Sequence, residues 1–147
     1  MKKKQHEFRQ YARTNYEPGN TLFLTLTFAE KTEDISFVNK EWQKLRRQFK
    51  IERYLHVLEK HASGGYHIHA LIMGFNYIDA NEMRQKWNAR LTITEVTRID
   101  HVLEYLVPYL SKQPQGYTYY RSRKLIKPCI KDAWDLFGKD FVTIKAV

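Results

Sequence analysis

The chain has 147 residues, the size of one domain at roughly 100–200 residues each. Its 25 Lys and Arg outnumber 16 Asp and Glu for a formal net charge of +9, and 43% of residues are apolar and 14% aromatic. This excludes a disordered basic tail, which lacks the apolar side chains that offset chain ordering, and no apolar run approaches the ~18 residues of a membrane span. The single Cys129 leaves no internal disulfide and no multi-cysteine zinc site. The expectation is one small, soluble, intracellular domain whose positive charge favours an anionic partner, nucleic acid first.

In chain order, residues 1–20 are polar and basic and end in the turn signal Glu17-Pro18-Gly19-Asn20. Thr21 to Phe28 then places Leu22, Leu24, Leu26 and Phe28 on one face and Thr21, Phe23, Thr25 and Thr27 on the other, a strand. From Ser36 to Lys50 the period changes, and Val38, Trp42, Leu45 and Phe49 form a helical stripe. Arg53 to Lys60 reads as a strand, Ala62-Ser63-Gly64-Gly65 as a turn, and Tyr66 to Met73 as the hairpin partner. Asp79-Ala80-Asn81-Glu82 has the form of a helix start, and that helix should stop near Ala89 or Arg90. Leu91 to Val96 alternates as another strand, and Ile99, Val102, Leu103, Leu106 and Leu110 mark a helix running from about Thr97 to Lys112. The order β-α-β-β-α-β-α predicts an α+β domain, one antiparallel sheet with helices on a single face, ferredoxin-like in arrangement. Beyond it, Tyr117 to Val147 is very basic up to Lys131, and Phe141-Val142-Thr143-Ile144 reads as a short strand.

Three groups of residues carry chemistry. In a strand, i and i+2 share a face, so His67 and His69 stand side by side while Ile68 points away. Two neutral imidazoles so placed can chelate a divalent cation, and Glu59, across the hairpin turn, is available as a third ligand. A His, His, carboxylate set leaves positions open for water or a phosphate oxygen, which suits a catalytic site. The plainer alternative is that both histidines occupy the polar face of a half-exposed strand.

On the last helix Tyr105, Tyr109 and Lys112 cluster beside the apolar stripe, with His101 adjoining. A phenol of pKa about 10 becomes a nucleophile only with help from a cation or a polarised electrophile, and Lys112 can supply charge; otherwise such tyrosines simply pack. Pro108 conflicts with a helix interior, where it costs roughly 3 kcal/mol. Finally, Tyr117, Tyr119, Tyr120, Arg121, Arg123, Lys124 and Lys127 interleave rings with cations, and Arg46, Arg47, Lys50 and Arg53 form a second basic cluster. Cations neutralise phosphates and rings stack unpaired bases. There is no G-x-x-x-x-G-K-[ST] loop and hence no built-in ATPase, and no serine or cysteine nucleophile context.

Three segments in order resemble the HUH superfamily of single-strand DNA endonucleases, in particular the rolling-circle replication initiators of plasmids and small viruses or phages. Phe23-Leu24-Thr25-Leu26-Thr27-Phe28 is similar to the first motif of that superfamily. Glu59 through Gly64-Gly65-Tyr66-His67-Ile68-His69-Ala70-Leu71 resembles the second, and Tyr105-Leu106-Val107-Pro108-Tyr109-Leu110-Ser111-Lys112 the third. The resemblance covers about residues 20–125 of one domain spanning 1–147, with 126–147 as a C-terminal extension. It implies an HUH fold, Mg²⁺ or Mn²⁺ held by His67, His69 and Glu59, and Tyr109 as the nucleophile assisted by Lys112. Tyr105 matches the spacing of two-tyrosine members, but Pro108 stands where those members usually carry lysine.

The implied activity is metal-dependent nicking and joining of DNA through a 5′-phosphotyrosine link, starting rolling-circle replication. Single-stranded DNA or an origin hairpin would be the substrate, contacted by Arg46, Arg47, Lys60, Arg121, Arg123 and Lys124. A host helicase and polymerase would be partners, no membrane is involved, the location would be the cytoplasm of the host cell, and a homodimer is left open. Two other readings also stay open: an insertion-sequence tyrosine transposase of the same superfamily, and a non-catalytic single-stranded nucleic-acid-binding module.

Overall fold

The computed structural model describes residues 2–114 and 116–128. In chain order it runs α1 (Lys2–Asn15), β1 (Thr21–Leu26), α2 (Ile35–Gln48), β2 (Tyr54–Lys60), β3 (Tyr66–Met73), α3 (Ala80–Trp87), β4 (Leu91–Glu95) and α4 (Ile99–Leu106), followed by a 3₁₀ segment (Val107–Lys112) and a two-residue β5 (Tyr120–Arg121). The five strands form one open antiparallel sheet in the order β4-β1-β3-β2-β5. The first four of these positions are the ferredoxin-like order, and β5 extends the sheet at its β2 edge. The strand expected at Phe141–Ile144, and Cys129, lie outside the described residues. No helix among the described residues is long and apolar enough to cross a membrane.

The local signals explain the boundaries. Asp34 caps α2 by accepting from the Phe37 amide at 3.1 Å, and Asp79 caps α3 by accepting from Asn81 and Glu82 at 3.0 and 3.2 Å. Such oxygens satisfy N–H groups that have no partner within the helix. Asn88 ends α3 in the left-handed region at φ 60°. The β2–β3 turn closes through His61 N–H to Gly65 O and Gly64 N–H to His61 O, both at 2.9 Å. Gly65 sits at φ 86°, where a side chain would also press on the Lys31 backbone.

Helices cover both faces of the sheet, which corrects the single-face expectation. The crossover helices α2 and α3 do share one face: Val38, Trp42, Leu45 and Met83 pack with Leu24, Leu26, Leu58, Ile68, Ala70 and Ile72. On the other face Phe8, Tyr11 and Ala12 of α1 and Leu103, Leu106, Val107 and Leu110 of the last helical stretch pack with Leu55, Val57, Leu71 and Met73. The alternation of strand side chains gives each face its own core, and burying each large apolar side chain stabilises by about 1.5–3 kcal/mol.

Two elements depart from the sequence reading. The polar, basic start of the chain is a packed helix, in which Phe8, Tyr11, Ala12 and Asn15 form a buried stripe at helical spacing. The buried Asn15 amide donates to Tyr11 O and Ile126 O, both at 2.9 Å, and its Oδ1 accepts from the Ile126 amide at 2.7 Å. The predicted helix over Thr97–Lys112 is α-helical only to Leu106; Pro108 cannot supply the amide an α-helix needs, and the chain tightens into the 3₁₀ turn that carries Tyr109.

Candidate active site

The register of the central strands assembles the site. On β1, β3 and β2 the pairs Thr25–His69, Glu59–His67 and Val57–His69 are directly opposed, so Thr25, His67, His69 and Glu59 share the face covered by α1 and α4. The 3₁₀ turn brings Tyr109 down onto the same place. His69 is 2% exposed. Its Nε2 lies 2.6 Å from Glu59 Oε1 and its Nδ1 lies 3.1 Å from Thr25 Oγ1. The second carboxylate oxygen, Oε2, accepts from the Tyr109 hydroxyl at 2.9 Å. One carboxylate thus joins an imidazole from β3 and a phenol from a separate element.

The surroundings tune these groups. Burial alone would raise the Glu59 pKa, but hydrogen bonds from His69 and Tyr109, with the charge of the two histidines, outweigh it and hold Glu59 below the usual carboxylate value. Burial, then the neighbouring His61, pushes the His67 pKa down and favours its neutral, ligating form; the His61 and His67 rings stack at 4.5 Å. The Tyr109 phenol is pushed well above its ordinary value, first by its interaction with Tyr105, then by burial and by Glu59. The resting nucleophile candidate is therefore a neutral phenol already directed at a proton acceptor. Tyr105 and Tyr109 meet at 5.5 Å, each facing His69, at 5.4 and 5.6 Å, and Tyr105 remains 46% exposed. Lys112 Nζ stands 5.9 Å from the centre of the Tyr109 ring.

Glu59, His67 and His69 match a divalent cation in donor type, shared face and, for Glu59 and His67, protonation state. Thr25 adds the outer partner a ligating imidazole usually has, and its hydroxyl can donate to or accept from Nδ1 and so serve either tautomer. The arrangement is nevertheless closed on itself, with Glu59 in direct contact with His69, and among the described residues no group of three or more His, Cys, Asp or Glu side chains is set out to hold a metal ion. Cation binding requires the 2.6 Å Glu59–His69 contact to open.

Gln113 went unnoticed in the sequence. Its side-chain amide donates to Leu58 O at 2.6 Å and to Tyr109 O at 2.8 Å, while its Oε1 accepts from the Leu58 amide at 2.9 Å. It behaves as a strand partner to β2 and ties the turn of Tyr109 to the residue before Glu59. Thr25 was also missed as a partner of His69; the Leu-Thr alternation held the signal, but only the β1–β3 register shows which threonine it is.

The basic residues do not gather at this site as a group. Arg46 and Arg47 lie on α2, across the sheet; the Arg46 Nε donates to Gln43 at 2.6 Å and its guanidinium lies 5.7 Å from the Tyr54 ring centre. Lys60 is exposed and pairs with Glu33 at 2.8 Å. Arg121 lies over the Tyr11 ring at 4.7 Å, and Arg123 and Lys124 are exposed beyond β5. Arg53 leaves its predicted cluster altogether: it pairs with Glu17 at 2.6 Å and also donates to Asn15.

No curated protein and no solved structure matches the chain significantly. The family model for the replication-associated protein ORF2 does match, over residues 21–114, from the first residue of β1 through the 3₁₀ turn and just past Gln113. With its ferredoxin-like strand order and with Glu59, His69 and Tyr109 brought together inside that stretch, the chain belongs to the replication-associated protein ORF2 family and is consistent with a rolling-circle replication initiator.

Proposed function

We propose that this replication-associated protein nicks and rejoins single-stranded DNA, with Tyr109 as nucleophile, to start rolling-circle-type replication. The observation that carries this reading is the Tyr109 hydroxyl donating at 2.9 Å to Glu59, whose other oxygen lies 2.6 Å from His69. In the reaction the phenolic oxygen attacks the scissile phosphorus and Glu59 Oε2 takes the phenolic proton. The bond from phosphorus to the 3′ oxygen breaks, and that oxygen takes a proton from water, leaving a 3′-hydroxyl and a 5′-phosphotyrosine. Lys112 provides positive charge beside the phenol as it loses its proton. One phosphoester replaces another, so no ATP is needed, and a later 3′-hydroxyl can attack the adduct and restore the strand. Glu59, His67 and His69 would hold Mg²⁺ or Mn²⁺, which supplies neutralisation and orientation of the phosphate.

The test is a denaturing gel of the protein with labelled single-stranded DNA from its own replicon and Mn²⁺. A covalent adduct is expected with the wild type and with Tyr105→Phe, and none with Tyr109→Phe or with chelator. An adduct that persists in Tyr109→Phe, or that never forms with the wild type, overturns the reading.

A further inference from the structure

On the face of the sheet opposite Tyr109, four rings stack as a column. Tyr54 and His56 both project from β2 with ring centres 5.9 Å apart and planes 20° apart. Tyr120, the register partner of His56 on β5, covers it at 4.4 Å and 11°. Tyr117 in turn lies on Tyr120 at 5.4 Å and 28°. Arg46 approaches the inner end, and Trp42 braces it edge-on, 5.2 Å from Tyr54 and 74° inclined.

Within this column His56 is a plate and nothing more. It is 2% exposed, and neither ring nitrogen has a hydrogen-bond partner among the described residues. Burial pushes its pKa down to about 3, so the ring is neutral. Among the described residues, side-chain hydrogen bonds reach the column at two phenol tips, where Gln43 donates to Tyr54 at 3.3 Å and Asn39 to Tyr120 at 3.5 Å. Parallel stacking is what joins ring to ring, and it propagates outward to Tyr117, which is 48% exposed where the column meets solvent. Arg123, Lys124 and Lys127 follow β5, all exposed. A flat ring at the open end of a stack, on a segment that continues into exposed cations, suits an unpaired base with its phosphates, because every base has a π-face.

The geometry points to Tyr117 as a platform for an unpaired base of single-stranded DNA, extending the Tyr54–His56–Tyr120–Tyr117 column by one ring while Arg123 and Lys124 neutralise the neighbouring phosphates. This rests on single-stranded DNA being the substrate. It adds that the strand runs past the β2–β5 edge and is held on the second face of the sheet, away from the reacting phosphate.

The full chain is titrated with a labelled single strand that extends well beyond the nick, alongside Tyr117→Ala, Tyr117→Leu and Tyr117→Phe. Affinity should fall about fivefold to hundredfold in the alanine variant and similarly in the leucine variant, which keeps apolar bulk but not the plane. Tyr117→Phe should bind like wild type. Wild-type affinity in Tyr117→Ala or in Tyr117→Leu overturns the platform, whatever the adduct gel shows. Equal, Tyr117-dependent affinity for RNA of the same sequence overturns DNA as its ligand. Loss of the adduct in the wild type with Tyr117-dependent DNA affinity intact rejects the nicking reaction alone.

Discussion

His69 and His56 stand on neighbouring central strands, each 2% exposed, yet they face opposite sides of the sheet and meet opposite chemistry. Both nitrogens of His69 have partners, Thr25 and Glu59, and through Glu59 the ring is linked to a phenol. Neither ring nitrogen of His56 has a hydrogen-bond partner among the described residues, and the ring lies among Tyr54, Tyr120 and Trp42. Burial therefore does not decide what a histidine does. The decisive factor is whether the opposing strand and the covering helix deliver polar groups or rings, and the two-residue alternation of a strand lets one sheet supply both.

The largest expected effect lies on the His69 side. Glu59→Gln keeps the size and can still hydrogen-bond, but it cannot take the phenolic proton. Single-turnover nicking should fall roughly hundredfold to ten-thousandfold with single-strand affinity retained, as read by rapid quench and by titration. A rate within a few-fold of wild type would remove Glu59 from the proton path.

The next effect belongs to His56 and appears in stability. Its folded pKa of about 3 lies below the ordinary value of 6.5, so the unfolded chain takes up the proton first. The stability contributed by the neutral ring is complete above pH ~6.5 and is lost as pH falls towards ~3, by about 1.4 kcal/mol per unit. His56→Phe retains a flat ring and should remove that part of the slope when urea midpoints are compared between neutral and mildly acidic pH. Parallel pH profiles for the two proteins would mean that the buried ring does not stay neutral.

The smallest effect sharpens the comparison from the first side. Thr25→Val takes away the Nδ1 partner of His69 and leaves a ring held by Glu59 alone. Loss of such an outer partner typically costs about tenfold to hundredfold in metal affinity or activity, and a loss in that range is expected here. The change should appear in Mn²⁺ dependence and nicking rate, with the melting temperature little altered.

The central strands and crossover helices were legible because their residues repeat at clean periods: Leu22, Leu24 and Leu26 at two, and Val38, Trp42 and Leu45 at three to four. The start of the chain hid its helix because Phe8, Tyr11 and Ala12 are set among lysines and arginines, and only a partner surface reveals such a sparse stripe. The pairing of His67 and His69 with Glu59 could be read from alternation and a two-glycine turn, whereas the role proposed for Tyr109 rests on likeness of motif. That α4 lies across the sheet from α2 follows from no local pattern; it depends on which face of the sheet remains uncovered. Thr25 and Gln113 depend on the same long-range packing, since a threonine or glutamine gains a task only when register and turn set it opposite a particular group.

The hairpin turn at Gly64 and Gly65 has a consequence for how this protein can vary. Its tight closure, with Gly65 against the Lys31 backbone, sets which residue of β3 is opposed to Glu59. A frame-shift of the ladder by one position would swap the imidazoles for Ile68 and bury them among leucines, leaving a molecule with much the same outline and no chemistry. Length changes at this loop are therefore constrained by the parity of the strand, and the loop safeguards the Glu59–His67 pairing from outside it.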